Sequence, residues 1–156
     1  FQFPAGQRQL FLDDHGVGKI ENLKRTMHQP QKKGAVIHSP NPLQTIQTRT
    51  APIWDPKDKV FKLWVLSVDD VLWQSPDGLN WTPGPKPNLP VRMVVYDEKD
   101  PDPARRFKAA ILDAGFAVSP DGIHWSLMQE ERVLKKTETD WFNVAFWDAV
   151  RGEYRM

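Results

Sequence analysis

The chain has 156 residues, 40% of them hydrophobic, with 21 basic and 20 acidic side chains and a formal charge of +1. That length suits one domain with a real core, and so even a charge balance argues against a nucleic-acid or membrane-surface protein. With no cysteine there is neither a disulfide nor a thiolate metal site, and no apolar run approaches the ~20 residues of a membrane span.

The 14 prolines and 7 tryptophans suggest many short strands and turns. The sequence opens at Phe1-Gln2-Phe3 without a methionine, so a leader removed or never included is expected. Gln9-Leu10-Phe11-Leu12 reads as a short strand ending in Asp13-Asp14, and His15-Gly16-Val17-Gly18 as a turn. Asp14 is a weak catalytic candidate, because paired aspartates at a strand end also serve turn chemistry. Residues 23 to 30 alternate as an edge strand stopped by Pro30, with a helix over roughly 15 to 28 as the rival. Ala35-Val36-Ile37-His38 is a further short strand. His28 and His38 are isolated, and no spacing of histidines and carboxylates points to a metal or any other cofactor.

From Arg49 the chain repeats. Ser75-Pro76-Asp77-Gly78-Leu79-Asn80-Trp81 and Ser119-Pro120-Asp121-Gly122-Ile123-His124-Trp125 share one pattern, with serines 44 residues apart. Such a period in a strand-rich composition points to propeller blades. The first copy reads as four short strands: 51–55, 61–66, 71–74 and, after the Ser-Pro-Asp-Gly turn, the one at Trp81. The second reads 93–97, an insertion at 100–104, then 107–112 and 115–118. A third begins at 145–148 and reaches Met156. Asp55, Asp97 and Asp148 fall at one turn position, where a carboxylate caps the backbone N–H groups two residues on. Asp77 and Asp121 precede glycines that supply positive φ, and Trp81 and Trp125 are expected to anchor packing between sheets. All seven are therefore expected to be structural.

Phe11-Leu12-Asp13-Asp14, the 23–30 stretch, Asp102-Pro103-Ala104-Arg105-Arg106-Phe107-Lys108, the second Ser-Pro-Asp-Gly turn and Asn143-Val144-Ala145-Phe146-Trp147-Asp148 together resemble a group of bacterial proteins. That group is similar to the five-bladed β-propeller glycoside hydrolases of families 32 and 43. The resemblance implies an all-β fold, a carbohydrate substrate, a secreted or periplasmic setting, and carboxylates at the mouth of a central channel. One carboxylate protonates the leaving oxygen while the other attacks or activates water. The Asn-Asp-Pro-Asn motif of family 32 is absent, and no glutamate starts an inner strand.

In such a blade the first strand is innermost, and its leading loop and the second-to-third-strand loop face the mouth. Five residues before the repeated aspartates stand Thr50, Arg92 and Asn143, candidates for a sugar-binding ring. Asp140 is the leading catalytic candidate, beside Trp141 as a stacking surface. Asp69, Asp70 and Asp113 lie in mouth-facing loops. A non-catalytic glycan-binding or protein-interaction propeller is the alternative, with Trp73 or Trp141 exposed for stacking. The domain divides as N-terminal strands and loop 1–48, blades 49–90 and 91–138, and the start of another at 139–156. At about 45 residues per blade this is half a ring, expected to be a fragment or to self-associate.

Overall fold

Strand alternation broken by aspartate and glycine turns yields hairpins from residue 47 onward in the computed structural model of the chain. The structure describes residues 6, 10, 13–39, 41–66, 70–111, 115–129, 146–148 and 150–155. The chain divides into two units, Phe1–Lys32 and Lys33–Met156.

In the first unit, residues 13–32 form neither the strand expected at 23–30 nor the rival helix. Leu23 and Met27 are exposed, so the alternation there buries no apolar face, and among the described residues no strand pairs with it. Most of the strand expected at 9–12 lies outside the described residues, and Leu10 is exposed.

The second unit is all-β, with antiparallel pairing throughout the described strands. The first sheet contains β1 (Gln47–Thr48), β2 (Ile53–Asp55), β3 (Val60–Leu66), β4 (Leu72–Ser75) and β5 (Thr82–Pro83). Both β1 and β2 pair with β3, one at each end, while β4 and β5 follow on its other side. The second sheet is a meander of β6 (Met93–Tyr96), β7 (Phe107–Ile111), β8 (Gly115–Ser119) and β9 (Ser126–Leu127). A last hairpin pairs β10 (Phe146–Asp148) with β11 (Glu153–Arg155). No sheet closes on itself among the described residues.

The repeat legible in the sequence is reproduced at the level of register. Trp54 faces Phe61, Tyr96 faces Phe107 and Trp147 faces Tyr154 across the first hairpin of each copy. Asp55, Asp97 and Asp148 cap those hairpins as expected, each accepting the N–H two residues on, at 3.0, 3.1 and 3.0 Å. Lys59 and Gly152 sit four residues after their aspartates at positive φ, which turns the chain back into the second strand.

The two Ser-Pro-Asp-Gly turns are built alike. The Ser75 and Ser119 hydroxyls, both fully buried, accept the Gly78 and Gly122 N–H at 2.9 and 2.8 Å. Asp77 Oδ1 accepts the N–H groups of Leu79 and Asn80, and Asp121 Oδ1 those of Ile123 and His124, all at 2.8 Å. Each turn's tryptophan folds back so that its indole N–H donates to the glycine carbonyl at 2.9 Å. The motif is a closed hydrogen-bonded unit with structural work for every side chain.

The first sheet packs on both faces, and one of its two clusters joins it to the second sheet. Trp64, Leu72, Val91, Val94, Phe107, Ala109, Ile111, Ala117 and Trp125 form the core between the first and second sheets. On the other face of the first sheet, Leu63, Val65 and Trp73 pack with Ile37, Ile46, Val71 and Trp81. Ile37 therefore contributes packing although 35–38 forms no strand. Between the sheets Lys62 is fully buried, and its ammonium donates to Asp55 Oδ2 at 2.6 Å, Asp58 Oδ2 at 2.7 Å and the Asp121 carbonyl at 2.9 Å. It also stands 5.3 Å from the centre of the Phe107 ring. One repeat later Lys108 reaches Asp97 and Asp100 at 2.9 and 2.8 Å and stands 5.2 Å from the Tyr154 ring centre. The Lys62 hydrogen bond holds the Asp58 carboxyl below its ordinary value.

Two predictions follow from these contacts. Lys62→Met leaves Asp55 buried and uncompensated, and is expected to cost about 3–5 kcal/mol in urea unfolding. Lys108→Met costs less, because the side chain of Lys108 is 19% exposed. Burial pushes the Asp121 carboxyl up, but the His124 ring, the N–H groups of His124 and Ile123 and the Ser119 hydroxyl together bring it down from 3.8 to about 2. A lowered folded value means stability is full above the unfolded carboxylate range and falls as pH drops from about 4 towards 2. The unfolding midpoint should decline across that window, and less steeply in Asp121→Asn.

Candidate functional site

At the loop end of β3, away from the aspartate turns, a cleft of about 220 Å³ opens between the first and second sheets. One wall is Trp64, Leu66 and Asp70, and the other is the proline-rich connection carrying Lys86, Asn88 and Arg92. Local chemistry explains this placement. The Leu72 carbonyl accepts the Gly84 N–H at 2.7 Å and the Leu72 N–H donates to the Pro85 carbonyl at 3.1 Å, so the connection leaves the first sheet alongside β4. Asn88 then locks it to the second sheet. Its side-chain oxygen accepts the Trp125 N–H at 2.7 Å, and its amide donates to the Trp125 carbonyl at 3.0 Å. Proline cannot join a central ladder, so beyond the edge strand β5 the run from Gly84 to Pro90 stays a strap that lines the cleft through Lys86 and Leu89.

Asp70 is a non-glycine residue at φ +48, in the left-handed region. Aspartate tolerates that region better than most residues, at some cost in backbone strain. The conformation places an exposed carboxylate on the cleft wall, at the loop end where mouth-facing groups were expected. The cleft thus combines a carboxylate, a guanidinium, an ammonium and a carboxamide above apolar ground formed by Trp64 and Leu89. Such a mixture of donors and acceptors on an apolar floor suits a polyhydroxylated ligand.

The other expected site residues are distributed differently. Of the three residues counted back from the repeated aspartates, Arg92 lines the cleft and Thr50 does not. The Thr50 hydroxyl donates to the Val94 carbonyl at 3.1 Å and serves as a strut between the sheets. Asp14 is exposed in the first unit and pairs with Arg25 at 2.7 Å, which gives its carboxylate a local partner. Asp140, Trp141 and Asn143 lie outside the described residues, as do Asp69 and Asp113. Trp73, expected as an exposed stacking surface, is buried in the second core, because β4 is covered on both faces. Trp54 is the more exposed tryptophan, packed edge-on to Phe61 at 4.9 Å. Among the described residues no cluster of histidines and carboxylates has the arrangement of a metal site.

Lys86 and Asn88 were not picked out from the sequence. A run of alternating prolines reads as a connection, and only the pairing of Asn88 with Trp125 shows that it is held in place. No family model, curated protein or solved structure matches the chain. The functional reading therefore stands on the residues themselves. Thr50→Val should cost about 1 kcal/mol in chemical denaturation while leaving any ligand binding in the Arg92 cleft unchanged.

Proposed function

We propose that residues 33–156 belong to a propeller-type domain, five-bladed in the manner of the glycoside hydrolases that the sequence resembles, and that the Asp70–Arg92 cleft is its carbohydrate-facing mouth. Three features support the architecture: the aspartate-capped hairpin that occurs three times, the Ser-Pro-Asp-Gly turn that occurs twice, and the second-strand lysine that in the first two copies reaches the aromatic residue of the next. The observation that carries the function is the cleft. It lies at the opposite end of the sheets from the saturated turns, and brings Asp70 and Arg92 together.

The activity proposed is glycoside hydrolysis, with Asp70 as one carboxylate and Asp140 as the second. Arg92 and Lys86 hold sugar hydroxyls and fix the ring, so that the carboxylates meet the scissile oxygen and its carbon from two sides. A second reading is favoured by the composition of the described cleft, where a single carboxylate stands beside two cations: a module that holds glycan without cleaving it.

A panel of aryl glycosides separates the two. Hydrolysis predicts turnover that falls by at least about 10²-fold in both Asp70→Asn and Asp140→Asn, with folding unchanged by circular dichroism. Glycan retention without turnover, lost in Arg92→Ala and kept in Asp140→Asn, selects the binding module. Absence of both turnover and retention overturns the carbohydrate reading.

A further inference from the structure

We propose that a second cleft, at the turn end of the same two sheets, binds a small carboxylate. The cleft has a volume of about 330 Å³ and lies between the β2–β3 turn, through Asp55 and Lys57, and the second sheet, through Tyr96, Arg106 and Phe107, with Pro120 beside them. It opens at the other end of β3 from the Asp70–Arg92 cleft and shares no lining residue with it. It stands independently of any activity at that mouth.

Two polar atoms of this lining are buried without a hydrogen-bond partner: the Tyr96 hydroxyl and the Arg106 Nε. A buried donor left unsatisfied costs on the order of 1–3 kcal/mol, so two of them on residues that line one cleft call for an acceptor. The nearby carboxylate does not supply it. Asp55 already accepts from Lys62 through Oδ2 and from the N–H groups of Lys57 and Asp58 through Oδ1. Pro103 and Pro120, also in the lining, carry no N–H and offer no competing donor.

Charge selects the class of ligand. Asp55 and Asp58 against Lys62 leave one negative charge, while Lys57 and Arg106 add two positive ones, so the surroundings of the cleft carry a single excess positive charge. That balance matches a monoanion better than a phosphate dianion. The Arg106 Nε–H together with a terminal N–H forms a planar fork whose spacing fits both oxygens of a carboxylate. The Tyr96 hydroxyl donates to one of those oxygens, and Lys57, exposed on the turn, adds a mobile charge at the opening. The carboxylate comes either from a sugar acid or from a ring-free acid such as a peptide terminus, and the chemistry of recognition is the same.

The test is titration of the ¹⁵N-labelled full chain, following the Arg106 Nε–H signal, which is identified by its loss in Arg106→Lys. The probes are D-glucuronate, D-glucose as its neutral counterpart, and N-acetylglycine as a carboxylate without a ring. Saturable shifts are expected with glucuronate and none with glucose. Binding should weaken at least 5-fold in Tyr96→Phe, followed by the same signal, and in Arg106→Gln, followed by the backbone N–H signals of Lys57 and Phe107. Saturation by N-acetylglycine as well makes the carboxylate alone sufficient, whereas response to glucuronate only assigns the site to a sugar acid. If Arg106→Gln does not fold, Lys57→Glu on the exposed turn supplies the comparison, with a several-fold weakening expected. No saturable shift with either acid, or equal affinity in wild type and variants, overturns the proposal.

Discussion

A lysine ammonium sealed between two sheets is the constraint on which the arrangement of the second unit rests. Removing an ammonium from water costs several kcal/mol, and the interior returns that only where its donors are met in good geometry. Lys62 is met by two carboxylates of its own hairpin, one carbonyl of the neighbouring sheet's turn and the face of Phe107. Hydrophobic contact alone is tolerant of sliding, because it has no direction. The ammonium is not tolerant: a shift of the second sheet by one residue would take the Asp121 carbonyl away and leave a buried donor unmet. Register within the hairpin and alignment between the sheets are thereby fixed by the same atom.

The two ends of the sheets differ in chemical freedom. At the aspartate end, turn carboxylates and buried serines are committed to nearby backbone N–H groups, which makes that rim rigid and chemically quiet except where Tyr96 and Arg106 lack partners. At the other end Asp70 stands on the wall of a cleft, and a proline-rich strap is anchored chiefly through Asn88. Polar side chains there line a cleft instead of closing a tight turn. That contrast is what a scaffold needs if one rim is to hold shape and the other to meet a ligand.

Most of the second unit was legible because its local signals agree with one another. Alternation gives the strands, and aspartate or glycine at fixed offsets gives the turns, so the hairpins from Ile53 to Ser119 fall within a residue or two of expectation. The stretch from 23 to 30 had alternation without turn chemistry or a partner, and pattern alone did not produce a strand. Trp73 was misread because β4 lies between two packed layers, so both of its faces are covered and alternation no longer separates inside from outside. Lys62 was hidden for the opposite reason. A lysine in a strand reads as a solvent-facing residue, and only the recurrence of Phe-Lys at 61–62 and 107–108 hints that its charge is used inside. Arg92 was reachable by counting from a repeated aspartate, whereas Lys86 and Asn88 acquire their place from a contact with Trp125 some 37 residues on.

The contact between Trp64 and Gly122 gives the repeat a polarity. The Trp64 indole donates to the Gly122 carbonyl at 3.0 Å, and a Cβ at Gly122 would stand 2.7 Å from the ring, so only glycine admits the tryptophan there. At the corresponding position of the second sheet the chain carries Ala110. The two copies are alike as folded units but not interchangeable as neighbours: one carries a plug on its leading face and the other the socket that receives it. Their order along the chain is therefore part of the fold, because exchanging them would set Ala110 where Trp64 now fills the space against Gly122.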